Sequence, residues 1–109
     1  MNTLILLQGD VEERELQLES CSLYASVQGW EAASSVLESG QAEAFRHLES
    51  SLVGIQRLLV TDLAVITHDI KSFFVFLSLL NRYKLSLHTV KDGEVVNFES
   101  GLTSVQPSG

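Results

Sequence analysis

One cysteine, one proline and only seven basic side chains stand in this chain of 109 residues, and each scarcity closes off a class of protein. A single cysteine, Cys21, allows no intrachain disulfide and gives no sign of an oxidising compartment. Its mid-helix position suits a small, half-buried packing residue better than a reactive thiol. Seven Lys and Arg against fourteen Asp and Glu give a formal charge of −7. Nucleic-acid binders normally carry the opposite balance, because neutralising phosphates supplies most of their affinity. Autonomous DNA binding and attachment to anionic membranes are therefore both disfavoured. A DNA mimic would need its carboxylates on one face; here they are spread along the chain, as in an ordinary acidic soluble domain.

Other absences narrow the chemistry. There is no Gly-rich phosphate loop, since Gly9 stands alone after the first apolar run. The three histidines, His47, His68 and His88, have neither i, i+4 spacing nor cysteine neighbours, so no metal site and no cofactor are expected. Met1-Asn2-Thr3 lacks the basic start of a secretory signal, and no apolar stretch reaches the roughly 20 residues that a bilayer span needs. A cytoplasmic setting without membrane attachment is the expectation.

What remains is globular in character: 45% hydrophobic residues, mixed charges, and a length suited to a single core. Residues 1–100 are expected to form one domain and 101–109, with Pro107 and two glycines, to fray. Thr3 to Leu7 is a continuous apolar run, as in a strand buried on both faces of a parallel sheet. Gly9-Asp10 opens a helix, with Asp10 as N-cap and Glu12 and Glu13 in the first turn. In that helix Leu16, Leu23 and Val27 recur at near-helical spacing with Ser20 between them, Gly29 closes it, and Trp30 at the exit reads as a packing anchor. Glu31 to Glu38 is a weak strand, and Gln41 to Leu52 a helix with Phe45, Leu48 and Leu52 on one face. Gln56 to Thr61 is the next strand.

His68-Asp69 begins a third helix, reaching about Tyr83. Its inward stripe reads as Ile70, Phe73, Phe74, Leu77 and Leu80, yet Val75, Phe76 and Leu79 are apolar too. A helix apolar nearly all round is either sandwiched or at an interface, which makes Val75, Phe76 and Leu79 a candidate contact surface. Leu85 to Val90 is a fourth strand, and Lys91-Asp92-Gly93-Glu94 signals a hairpin returning through Val95 to Phe98 as an antiparallel edge. The alternation predicts a three-layer α/β domain with a mainly parallel sheet of four to five strands flanked by helices.

The run from Glu15 to Glu31, through Cys21 and Trp30, resembles the first helix and helix exit of the serine recombinases, the resolvase/invertase family. The blocks Leu59 to Leu63, Asp69 to Phe74 and Leu85 to Val90 resemble that catalytic domain's third strand, fourth helix and fourth strand. The likeness extends from about Leu4 to about Ser104. It implies a resolvase-like fold and, for intact members, attack of a serine hydroxyl on a DNA phosphodiester with arginines neutralising the phosphate.

The same alignment implies that the chemistry is gone. The family pattern Tyr-x-Arg-Val-Ser-Thr-x-x-Gln falls on Leu6 for tyrosine, Gln8 for arginine, Asp10 for the nucleophilic serine, Val11 for threonine and Arg14 for glutamine. The second pattern, Asp-Arg-Leu-x-Arg, falls on Ala64-Val65-Ile66-Thr67-His68, so the acid and first arginine are absent and His68 stands for the second. Losing one preorganised donor typically costs about 10²–10³ in rate; here the nucleophile and three arginines are replaced. The direct step from Ser39-Gly40 into Gln41-Ala42-Glu43 implies that a longer arginine-bearing loop of the family is trimmed. The family's long dimerisation helix and DNA-binding module would follow the point at which this sequence ends.

Three functions stay open on these residues. The first is a catalytically inactive, recombinase-like domain that binds another protein, most simply itself, through its sheet edge or the Val75, Phe76, Leu79 surface. The second is an accessory or regulatory role in site-specific DNA recombination alongside an active recombinase. The third is a recruited enzyme using Asp10, Asp62 or His68 in the cleft at the strand ends.

Overall fold

A computed structural model describes residues 2–98; the tail expected to fray, 101–109, lies outside the described residues. The chain is an α/β domain built on a five-stranded sheet in the order β2-β1-β3-β4-β5. Its strands are β1 (Thr3–Leu7), β2 (Ala32–Val36), β3 (Arg57–Val60), β4 (Ser86–Thr89) and β5 (Gly93–Asn97). The first four pair in parallel with one another, and β5 returns antiparallel beside β4. All five side chains of β1 are buried, as its uninterrupted apolar composition demands of a central strand.

The helices are α1 (Val11–Gln28), α2 (Ala42–Leu48) and α3 (Ile70–Tyr83). The step from β1 to β2 runs one way across the sheet, while those from β2 to β3 and β3 to β4 run the other way. Crossovers of one hand therefore leave α1 alone on one face and α2 with α3 on the other. Two cores reflect this division. Leu4, Leu6, Leu58, Val60 and Leu87 pack with Phe45, Leu48, Phe76 and Leu80 on the two-helix side. Ile5, Leu7 and Leu59 pack with Cys21 and Ala25 on the other.

Local signals explain the helix limits. Asp10 Oδ1 accepts from the Glu13 N–H at 2.8 Å while Glu13 Oε1 accepts from the Asp10 N–H at 3.2 Å, a reciprocal capping box. At the other end Gly29 takes the left-handed conformation, φ 77°, that a residue with a Cβ rarely adopts. The segment expected as one helix over 41–52 is α-helical only to Leu48 and tightens into a 3₁₀ turn over Glu49–Leu52.

Helix phase is where the structure corrects the sequence. On α1 the sheet-facing row is Cys21 and Ala25, whose small side chains let the helix approach the strands closely. Leu16, Leu23 and Val27 point outward, 67%, 68% and 75% exposed. On α3 the buried residues are Ser72, Phe76, Leu79 and Leu80, with Phe73 and Leu77 partly buried against them. Ile70 and Phe74, expected to face inward, are exposed.

The proposed contact surface of Val75, Phe76 and Leu79 is likewise corrected. Phe76 has no exposed surface and Leu79 only 5%, because Phe76 meets Phe45 edge-on at 5.0 Å in the middle of the two-helix core. Only Val75 of the three reaches solvent appreciably.

Candidate functional site

In open parallel sheets ligands settle beyond the carboxyl ends of the strands, so the end of β1 and the turn after β3 form the place to examine. Gln8 follows β1 directly. Its side-chain Nε2 donates to the Val65 carbonyl at 2.9 Å and to the Ile66 carbonyl at 3.3 Å. Its own backbone is held by Gln17 of α1, which accepts from the Gln8 N–H at 2.9 Å and donates to the Gln8 carbonyl at 2.8 Å. Two amide side chains thus bridge β1, α1 and the turn after β3.

The β2–α2 connection closes the same region from its other side. A Cβ at Gly40 would lie 2.9 Å from Thr67 Oγ1 and 3.0 Å from the Ile66 carbonyl, so the bare backbone lies flush against this turn. The short passage from Ser39 to Gln41 thus packs directly on this turn. Leu6, with no exposed surface, and Val65, 9% exposed, belong to the two-helix core.

The remaining positions have structural employment. Asp10 caps α1, and Arg14 Nε donates to the Asp10 carbonyl at 3.4 Å. Asp62 accepts from the Ala64 N–H at 3.0 Å, capping the 3₁₀ turn Leu63–Val65, on which Ala64 is exposed. That N–H, with Lys91 Nζ 3.7 Å away, holds the Asp62 carboxyl below the usual carboxylate range. Asp69 caps α3. The Ser72 hydroxyl donates to it at 2.8 Å and, with the Ser72 and Lys71 N–H groups, lowers its pKa.

His68 is exposed and lines a shallow, mostly apolar hollow of about 150 Å³ with Leu63, Thr67, Asp69, Ile70 and Phe73. The structure therefore brings Gln8 and Val65 into contact, and Asp10 and Arg14 into contact. It does not gather Asp10, Asp62 and His68 into one hydrogen-bonded constellation. Among the described residues no group of three or more His, Cys, Asp or Glu is placed to hold a metal ion.

Two features escaped the sequence reading. Gln17 is one; it lies four residues before the buried Cys21, and that i, i+4 relation to the sheet-facing row was the available signal. The other is a stack on the α1 side of the sheet, where only one helix gives cover. Arg57 lies over the Trp30 ring at 4.3 Å, His88 meets that ring edge-on at 4.9 Å, and Ser86 Oγ lies 3.3 Å from His88 Nε2. Trp30 is the packing anchor expected from its position, partly buried and in contact with the α1-side core.

Burial pushes the Cys21 thiol up to about 11, and the side chain has no exposed surface, so it is a packing residue and a poor nucleophile. No helix among the described residues is long and apolar enough to cross a membrane. A scan against protein-family models gives no match to this chain, and a search of curated proteins gives none either.

Proposed function

We propose that this chain is a catalytically inactive, serine-recombinase-like domain that works by binding protein, with its own structure filling the place where a DNA phosphate would have to be held. One observation carries the reading: the Gln8 amide, which stands where the resemblance puts a phosphate-binding arginine, is committed to the Val65 and Ile66 carbonyls. A neutral amide facing inward can neither attract a phosphate nor stabilise charge developing on it. Asp10, at the position of the nucleophilic serine, is a carboxylate engaged as a helix cap, and it would repel the phosphate. The net charge of −7 supports the same reading, since any approach to DNA meets long-range repulsion.

The test is incubation of the purified chain with supercoiled plasmid in low salt with magnesium, stopped with detergent. The expected result is intact plasmid and no protein on the DNA. A nicked product with protein covalently attached to the broken end would overturn the reading.

A further inference from the structure

We infer that the outer edge of β2 is a self-association site, at which a second copy of this chain adds its own β2 antiparallel about Ser34 to give a continuous ten-stranded sheet; this deepens the reading just given and rests on it. β2 ends the sheet, and among the described residues nothing pairs with its outer side. The Glu31 carbonyl accepts from Thr3 at 3.2 Å, and the Leu37 N–H donates to Leu7 at 2.7 Å. A parallel ladder uses alternate residues, so Ala33 and Ser35 also face β1, while the N–H and C=O groups of Ala32, Ser34 and Val36 point outward.

That outward set is self-complementary. With Ser34 on the two-fold axis, Ala32 faces Val36 of the second copy, Ser34 faces its equivalent, and Val36 faces Ala32. All three are then hydrogen-bonded pairs, giving six bonds with no outward group of the strand left over. Glu31 comes opposite Leu37 and Glu38 opposite Trp30, so along the strand no carboxylate faces another. Natural edges are usually blunted by charge, proline or a bulge. Ala32–Val36 has no charged residue and no proline, and its register with β1 is unbroken.

Side chains beside the edge fit the same occupant. Ala32, Ser34 and Val36 are level with Thr3, Ile5 and Leu7 and share their face, the α1 side. There Val36 and Val11 are exposed and Leu18 partly so, and together with Leu7, Arg14 and Glu15 they line an open, mostly apolar hollow of about 200 Å³. A second copy brings its own α1 alongside and covers this hollow. The edge is only five residues long, about 17 Å, and with α1 it offers less than the roughly 800 Å² per partner of a standard interface. The dimer is therefore weak, dissociating at micromolar concentrations or above.

Sedimentation equilibrium of the full chain from low micromolar to submillimolar concentration reads this directly, and a monomer–dimer equilibrium is expected. Ser34→Pro removes an outward N–H and leaves the β1 ladder intact, and Val36→Lys puts a charge beside the axis; each should weaken dimerisation at least tenfold while the circular dichroism melt stays cooperative. Ser34→Cys tests the register, because hydrogen-bonded antiparallel partners lie about 5.5 Å apart, within disulfide reach. Mild oxidation should cross-link it much faster than Ser50→Cys, an exposed control, with the buried Cys21 silent. A strict monomer at the highest concentration, a dimer indifferent to both edge variants, or equal cross-linking of the two cysteine variants would each overturn the proposal. None of these outcomes bears on plasmid cleavage, so the edge can fail while the non-catalytic reading stands, and the reverse.

Discussion

Phe74 and Phe76 sit two residues apart on α3 and should respond to truncation very unequally. Phe76 has no exposed surface and packs edge-on against Phe45 at 5.0 Å, whereas Phe74 is 63% exposed. Phe76→Ala removes a fully buried ring, which typically costs about 3–5 kcal/mol, of which the aromatic pair itself accounts for roughly 0.5–1.5 kcal/mol. Phe74→Ala acts at a mainly solvated position, where changes usually stay within about 0.5 kcal/mol. Urea denaturation followed by circular dichroism separates the two. With a slope of about 1.5 kcal/mol per molar for a domain of this size, Phe76→Ala should lower the midpoint by roughly 2–3 M. Phe74→Ala should move it by less than about 0.4 M. A domain stable by about 5–15 kcal/mol survives the larger loss only narrowly, so Phe76→Ala is best measured at low temperature. If Phe74→Ala proved the more damaging, α3 would be rotated from the setting described, and the entire two-helix core would have to be reassigned.

Gln8→Ala deletes the donor to the Val65 and Ile66 carbonyls; a loss of about 1–2 kcal/mol, with faster amide exchange over residues 62–67, is expected in denaturation and hydrogen-exchange experiments, and an unchanged turn would refute the bridging role. The Cys21 thiol should resist a thiol reagent at pH 8 in the folded protein and react fully in denaturant. Because burial raises its pKa from 9.0 to about 11, the folded state holds a proton that the unfolded chain releases. That contribution to stability is complete below pH 9 and is lost as pH rises towards 11. Stability measured over that range should fall less steeply in Cys21→Ala than in the parent.

Much of the architecture was legible because several signals agreed at each element. The apolar run Thr3–Leu7 suited a doubly covered strand, Asp10 with Glu13 marked a helix start, and Asp92-Gly93 turned the chain back into an antiparallel β5. Helix rotation was not legible, for physical reasons that differ between the two long helices. On α1 the sheet-facing row consists of Cys21 and Ala25, small residues that carry little hydrophobic signal, so the larger Leu16, Leu23 and Val27 drew the eye to the solvent side. On α3 apolar residues occupy almost every direction, and burial was decided by contact with Phe45 on α2, a long-range fact absent from any local window.

At the end of β1 the sequence named residues but not their contacts. The resemblance sets Gln8 against an arginine of the family pattern, but gives no hint that the amide reaches 57 residues along the chain to Val65. Gln17 was overlooked because it belongs to no chemical pattern, and Gly40 was noted only for the shortness of its loop, not for its close approach to Ile66 and Thr67.

Gly40 binds two distant corners into a single latch. A methyl group there would act as a wedge against Ile66 and Thr67, and the loop it lifted would drag the very carbonyl that Gln8 grips. Prying at the exit of β2 would thus loosen the end of β1, although the two segments are more than thirty positions apart in sequence. Opening this corner to admit a guest would cost part of what keeps the molecule shut.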